Sequence, residues 1–147
     1  MKQYKFFSAA IGLVLITFFA TSWVSKKSTS SRSAITITGV YDFSTFPNTV
    51  GTFTTSGALN LSGTSTMLVG PNINGARAHC QITLTPSDGS GSIFIHQECA
   101  FNTPTPQGRW EIVGGTGAYV NLKGNGSLTM PMTPDGGNEE AMIGFIY

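Results

Sequence analysis

From Ala34 to Tyr147 apolar and polar residues alternate in short runs, and each run ends at Gly, Pro, Asn, Asp or Ser. A period of two puts successive side chains on opposite faces, the pattern of a half-buried strand. Ile35, Ile37 and Tyr41 alternate with Thr36, Thr38 and Asp42, which predicts a first strand over 34–43, broken at Pro47-Asn48. Thr-rich runs predict strands over 51–61 and 63–69, joined near Ser62-Gly63, with a turn over 71–75. Two further strands, 76–85 and 92–101, flank Asp88-Gly89-Ser90-Gly91. Pro104 and Pro106 form a connector. Strands over 108–113 and 118–130 flank a glycine turn, 131–137 is a loop, and 141–147 closes the sheet. Eight short strands in regular succession predict an all-β antiparallel barrel, whose closure removes exposed edges. A two-sheet β-sandwich carries the same signals and is the alternative. No internal repeat of fixed period is present.

The most informative stretch runs from Arg109 to Leu128. It reads as strand, turn, strand. Val120, Leu122 and Leu128 fall on one side of the second strand, and Asn121, Lys123 and Ser127 on the other. Gly114, Gly115 and Gly117 are expected to serve backbone geometry, since glycine takes positive φ without steric cost.

Gly114-Gly115-Thr116-Gly117, followed by Tyr119 and Gly124, resembles the Gly-Gly-Ser/Thr-Gly-x-Phe…Gly pattern near the end of allene oxide cyclase and dirigent proteins. It is also similar to a Trp-x-Ile…Gly-Thr-Gly-Ala-Tyr…Gly pattern of uncharacterised secreted bacterial proteins. The likeness covers roughly the last third of the chain; upstream only the rhythm of strands is shared. It implies an eight-stranded barrel, often trimeric, with an internal pocket that in some members cyclises an epoxide and in others steers radical coupling. The catalytic carboxylates, arginines and prolines of that group have no evident counterpart here, so the fold transfers better than the function.

Charge narrows the partners. Five of the eight basic residues (Lys2, Lys5, Lys26, Lys27, Arg32) lie in the N-terminal region. From Ala34 onward Arg77, Arg109 and Lys123 face 7 carboxylates, so the folded part is mildly acidic. No basic stripe is available for a phosphate backbone, which argues against nucleic acid.

The N-terminus reads as a targeting segment. Lys2 and Lys5 precede an apolar run over 6–20, and Ala20-Thr21-Ser22 offers small residues for cleavage. The expected division is a signal peptide over 1–22, a disordered polar tether over 23–33 and a barrel domain over 34–147. The rival reading is an uncleaved anchor, since 6–24 is long enough to cross a hydrocarbon layer of ~30 Å. Either way the barrel is exported: extracellular, periplasmic or at the cell surface.

Cys80 and Cys99 are the two cysteines. If their hairpin is symmetric about Gly89-Ser90, Cys80 lies opposite Cys99, Ile82 opposite Gln97 and Leu84 opposite Ile95. Opposed strand positions suit a disulfide, and an exported destination permits one. The alternative is two buried free thiols after a register slip. The same register puts Ile82, Leu84, Ile93, Ile95 and Phe101 with the cysteines on an apolar face, and His79, Gln81, His96 and Glu98 on the other. A metal site is not expected, because His79 would lie far along the ladder from His96. A His96/Glu98 pair could do acid–base work only if that face lined a pocket; a solvated outer face is the plainer expectation.

Trp110 and Tyr119 flank the glycine turn and either line a ligand mouth or plug the barrel end. The turn is no phosphate loop, having no following lysine and helix. Asn60-Leu61-Ser62 and Asn125-Gly126-Ser127 match glycosylation acceptors of little weight. No Ser-His-Asp arrangement can be drawn. The sequence thus points to a barrel binding a small apolar ligand without turnover, with Trp110, Tyr119, His96 and Glu98 as candidate ligand contacts, no cofactor and no metal. Self-association as a homo-oligomer, a trimer by resemblance, is one alternative. A structural envelope protein with a filled barrel and an isomerase- or cyclase-like enzyme are the others.

Overall fold

The computed structural model describes residues 31–71, 77–100, 105–131 and 139–147. The apolar targeting run, most of the tether, the turn over 72–75, Phe101, Pro104 and most of the loop over 131–137 lie outside them. Within the unit Ser31–Tyr147 the chain forms β1 (Ser33–Asp42), β2 (Asn48–Gly57), β3 (Ser62–Val69), β4 (Arg77–Pro86), β5 (Ile93–Ala100), β6 (Gln107–Gly115), β7 (Gly124–Thr129) and β8 (Glu139–Ile146). Each strand pairs with its sequence neighbour, and β8 returns to β1, closing an antiparallel barrel of eight strands. Among the described residues no helix is long and apolar enough to cross a membrane.

The alternation sorts the side chains as expected. Ile35, Ile37 and Tyr41 of β1 point inward, as do Ile82 and Leu84 of β4 and Ile93 and Ile95 of β5. Burying such side chains stabilises by ~25 cal/mol per Å² of apolar surface. The inner glycines do not leave the lumen empty. A Cβ on Gly39 would lie 2.7 Å from the Tyr41 ring, and one on Gly144 2.7 Å from the Trp110 ring. These rings fill the space the glycines provide.

Two elements differ from expectation. The strand predicted from residue 118 begins only at Gly124; Gly117–Tyr119 is a single 3-10 turn. Val120 is therefore exposed and does not share a face with buried Leu128. The β4–β5 register is also displaced by two residues. Ile82 faces Ile95, Leu84 faces Ile93, Cys80 faces Gln97, and Cys99 faces Ala78. The hairpin is symmetric about Asp88-Gly89, with Gly89 at positive φ, and not about Gly89-Ser90. Ser90 and Ser92 then bond to the glycine turn, Ala118 N–H donating to Ser90 O (2.9 Å) and Thr116 N–H to Ser92 O (2.8 Å). A two-residue shift keeps every side chain on its face, so the burial pattern survives it.

The expected disulfide does not. Cys80 and Cys99 are buried free thiols. They sit on a diagonal of the ladder, where Cα atoms are about 7–8 Å apart, beyond the usual disulfide span. Burial pushes the Cys80 thiol up to about 12 and the Cys99 thiol up to about 11, with the Glu140 carboxylate adding to both.

Alternating connections divide the barrel into two ends. The β2–β3, β4–β5 and β6–β7 connections form one, here the turn end, which is sealed. Tyr119 is buried there, and its hydroxyl lies 2.7 Å from Ser90 Oγ. The other four connections form the opposite, loop end. Ile35, Phe53, Leu84, Ile93, Ile112 and Ile146 fill the turn-end half. Apart from Thr55 near the turn end of β2, the polar residues of the interior gather in the loop-end half.

Candidate functional site inside the barrel

Tyr41 near the end of β1, Ser65 on β3, Gln97 near the end of β5 and Glu140 at the start of β8 all point into the lumen and are buried. Their elements place them there by simple parity. Gln97 is in phase with Ile93, Ile95 and Cys99; Glu140 is in phase with Met142 and Ile146. Tyr41 is laid back across Gly39, whose β8 neighbour is Glu140, and across Gly51, whose β3 neighbour is Ser65. Side chains at either glycine would occupy the ring's place.

Glu140 is 1 % exposed. Gln97 Nε2 donates to its Oε1 at 2.7 Å and also lies 3.1 Å from Met142 Sδ. Burial pushes the Glu140 carboxyl up from its ordinary value to about 7, and the Gln97 amide and Tyr41 hydroxyl pull it partly back. Burial pushes the Tyr41 hydroxyl upward as well, reinforced by the nearby Glu140 charge. It stays a neutral phenol. Four buried polar atoms of this group have no hydrogen-bond partner: Tyr41 Oη, Ser65 Oγ, Gln97 Oε1 and Glu140 Oε2. Each such atom costs about 1–3 kcal/mol if left dry. Four around one point mark a place where a guest, or water, belongs.

The residues singled out from sequence are spread over three places. His96 and Glu98 lie on the outer face, as the plainer expectation had it. They line an outer groove of about 440 Å³ with Arg109, Trp110, Glu111 and Asn125. Glu98 accepts from Arg77 Nη1 (2.9 Å) and Arg109 Nη2 (3.2 Å); Arg109's hydrogen bond is the main cause that holds its carboxyl below the usual range. His79 is not remote from His96: the displaced register stacks the two rings with centroids 5.5 Å apart. His96 Nδ1 also lies 3.7 Å from Glu111 Oε1. No His, Cys, Asp and Glu group among the described residues is arranged to hold a metal. Trp110 is buried in the wall, its indole N–H donating to Ser127 O at 3.0 Å. Tyr119 seals the turn end, so it does not meet the other three.

Sequence reasoning missed Gln97 and Glu140 as site residues. For Gln97 the signal was present, since the predicted apolar face of β5 includes its position. For Glu140 there is none, because the apolar alternation marks the last strand only from Ala141.

No protein-family model, no characterised protein and no solved structure shows a significant match to this chain.

Proposed function

We propose that this is an exported β-barrel that holds one small ligand in the loop-end half of its interior without chemical turnover. The observation that carries the reading is the group of four unpaired buried polar atoms around Glu140. An eight-stranded barrel has room for its own side chains or for one small guest, and here the turn-end half is taken by side chains. The guest is compact. It sets a hydrogen-bonding group against Glu140, Tyr41 and Ser65, and the remainder against the apolar lining. This refines the purely apolar ligand expected from composition. Export rests on the N-terminal apolar run, and kinship with the allene oxide cyclase and dirigent group rests on the barrel together with the Gly-Thr-Gly-Ala-Tyr turn.

Native mass spectrometry of protein purified from its own host tests the proposal. The expected result is one retained small molecule per chain, lost on denaturation. A chain of bare mass under gentle conditions overturns it. A Glu carboxyl near 7 is also what acid–base chemistry at neutral pH needs, which keeps the isomerase-like alternative in play. Conversion of the retained molecule on prolonged incubation would decide for it.

Self-association has its own support. Ile143, Phe145 and Tyr147 stand in a row on the outer side of β8, exposed by 60 %, 48 % and 42 %. The ladder neighbours of Ile143 and Phe145, namely Ala34, Thr36, Asn125 and Ser127, carry no charge. Tyr147 at the end of the row pairs with Lys123 and carries the Arg32 guanidinium over its ring. A closed barrel has no free edge, so a second copy would dock on such a face. Sedimentation of wild type and Ile143→Glu tests this: an oligomer dissolved by the substitution supports it, and a wild-type monomer at high concentration refutes it.

A further inference from the structure

The charge inside the barrel is unbalanced: among the described residues Glu140 is the one buried ionisable carboxyl and no buried cation faces it. Two of the four unpaired atoms, Gln97 Oε1 and Glu140 Oε2, can only accept when the carboxyl is ionised. The other two are hydroxyls, which can also accept. The two hydroxyls can donate to those acceptors, and Tyr41 is directed at Glu140, but no described side chain inside the barrel supplies a positive charge. Among the described residues the buried polar side chains, apart from Tyr41, are Thr49, Thr55, Ser65, Gln97 and Glu140, with no Lys, Arg or His. Thr49 and Thr55 already donate to the carbonyls of Met67 and Leu59. Arg77, Arg109 and Lys123 lie on the outside, and both histidines belong to the outer face. Glu140 is therefore a buried carboxylate with neutral donors, Gln97 and the Tyr41 hydroxyl, and no counter-charge among the described residues.

We propose that the interior site takes a small organic cation, a primary ammonium, with Glu140 as its counter-ion. The inference rests on the interior-ligand reading above and gives it a chemical class. An ammonium head has three N–H donors and no acceptor. It matches Glu140 Oε2, Gln97 Oε1 and a hydroxyl of Tyr41 or Ser65. A carboxylate guest would face Glu140 with like charge. A neutral alcohol would leave the buried charge uncompensated. The filled turn-end half limits the carbon skeleton to a few atoms.

The groups that face Glu140 are Tyr41 from β1, Cys80 from β4, and Gln97 and Cys99 from β5. The phenol and both thiols stay neutral through pH 8. Glu140 is thus the one group in contact with the guest whose charge changes between pH 6 and 8. Below its value of about 7 an arriving cation must displace a proton. Apparent affinity should therefore weaken about tenfold from pH 8 to pH 6.

The test is calorimetric titration of the purified full chain with ethylammonium chloride. Ethanol, propionamide, sodium propionate and potassium chloride serve as comparison probes at matched ionic strength. The expected result is saturable binding of ethylammonium alone, weaker at pH 6 than at pH 8, and at least tenfold weaker in Glu140→Gln. Ser65→Ala, which keeps the charge, should weaken it severalfold, and the wild-type pH dependence needs no variant at all. Saturable binding of ethanol, propionamide or propionate, or ethylammonium binding indifferent to pH and to Glu140→Gln, overturns the cation class and leaves the interior-ligand reading standing. Equal binding of potassium overturns the organic class. If no probe binds and the native mass spectrum shows a bare chain, both readings fail together, and the four atoms are served by water.

Discussion

Gln97 donates a 2.7 Å hydrogen bond to Glu140 across the lumen, joining β5 to β8, two strands that share no backbone pairing. The contact spans three strand positions around the wall. It ties the half of the barrel carrying the β4–β5 hairpin to the strand that closes it. Removing Gln97 strips a buried carboxyl of its donor, while removing both partners leaves nothing unsatisfied. Gln97→Leu should lower unfolding stability by about 2–3 kcal/mol. The double variant Gln97→Leu/Glu140→Leu should recover most of that loss. Urea unfolding of wild type, both single variants and the double variant measures the coupling; strictly additive losses would show that the bond contributes nothing of its own.

Stability should fall as pH rises from about 4.5 to about 7. Burial raises the Glu140 carboxyl from 4.5 in the unfolded chain to about 7 in the folded one. The folded state therefore holds that proton more tightly. Its contribution is full below 4.5, declines with rising pH, and is gone above about 7. The span corresponds to about 3 kcal/mol at 1.36 kcal/mol per pH unit. Asp42, Asp88 and Glu98 act in the opposite sense, since hydrogen bonds lower them and any contribution is lost at acid pH. Subtracting the profile of Glu140→Gln isolates the Glu140 term. The difference curve should slope between pH 4.5 and 7, and a flat one would place the carboxyl in water.

The two thiols should be silent in the native protein. Both are buried and both are held well above neutral pH, so the reactive thiolate is scarce. An aromatic disulfide reagent at pH 8 should label neither until denaturant is added, and then label both. Reducing agent should leave the melting temperature unchanged, because no bond links Cys80 to Cys99. Rapid labelling of the native state would mean that the loop-end half opens readily.

Parity was legible in the apolar alternation, and the β4–β5 register was not. Apolar alternation along 34–147 suffices to expect eight strands and the burial of Ile82, Leu84, Ile93 and Ile95, because side-chain period is a local property, while it fits a two-sheet sandwich as well as the closed barrel observed. The β4–β5 hairpin turns about Asp88-Gly89, one residue before the Gly89-Ser90 axis, and Ser90 and Ser92 dock against Ala118 and Thr116, residues more than twenty positions away. The local signal for this register is Asp88-Gly89, an Asp-Gly pair with Gly89 at positive φ, about which the observed pairs are symmetric. From that one offset follow the absent disulfide and the His79–His96 stack. Glu140 was hidden for another reason. Glu139-Glu140 follows a Pro- and Gly-rich stretch and reads as loop, yet pairing with Val40 and Gly39 draws both residues into β8. Pairing with a distant strand overrode local polarity there.

The glycine turn is a docking surface for the β4–β5 turn, and its three glycines are unequal. Gly117 alone of them has positive φ, +58°, and a Cβ there would sit 2.3 Å from Ser90 O. Gly91 faces it from the other side at φ +137°, with Thr116 O 2.2 Å from where its Cβ would be. The two turns meet backbone to backbone, and any side chain drives them apart. Gly115 has ordinary φ but is hemmed in by Tyr119 O and Ser92 O at 2.6 and 2.8 Å. Gly114 is different again, since a Cβ there would make ordinary contact with the Phe94 ring at 3.5 Å. Gly117→Val should therefore cost about 2–5 kcal/mol, combining left-handed strain with a backbone clash. Gly114→Ala should be neutral or stabilise by about 0.5 kcal/mol, because it restricts the unfolded strand without a clash. Thermal unfolding of the two variants side by side decides the matter. Equal effects would show that the turn acts through something other than its contact with Ser90 and Gly91, and wild-type stability in Gly117→Val would move the turn from a structural to a functional role.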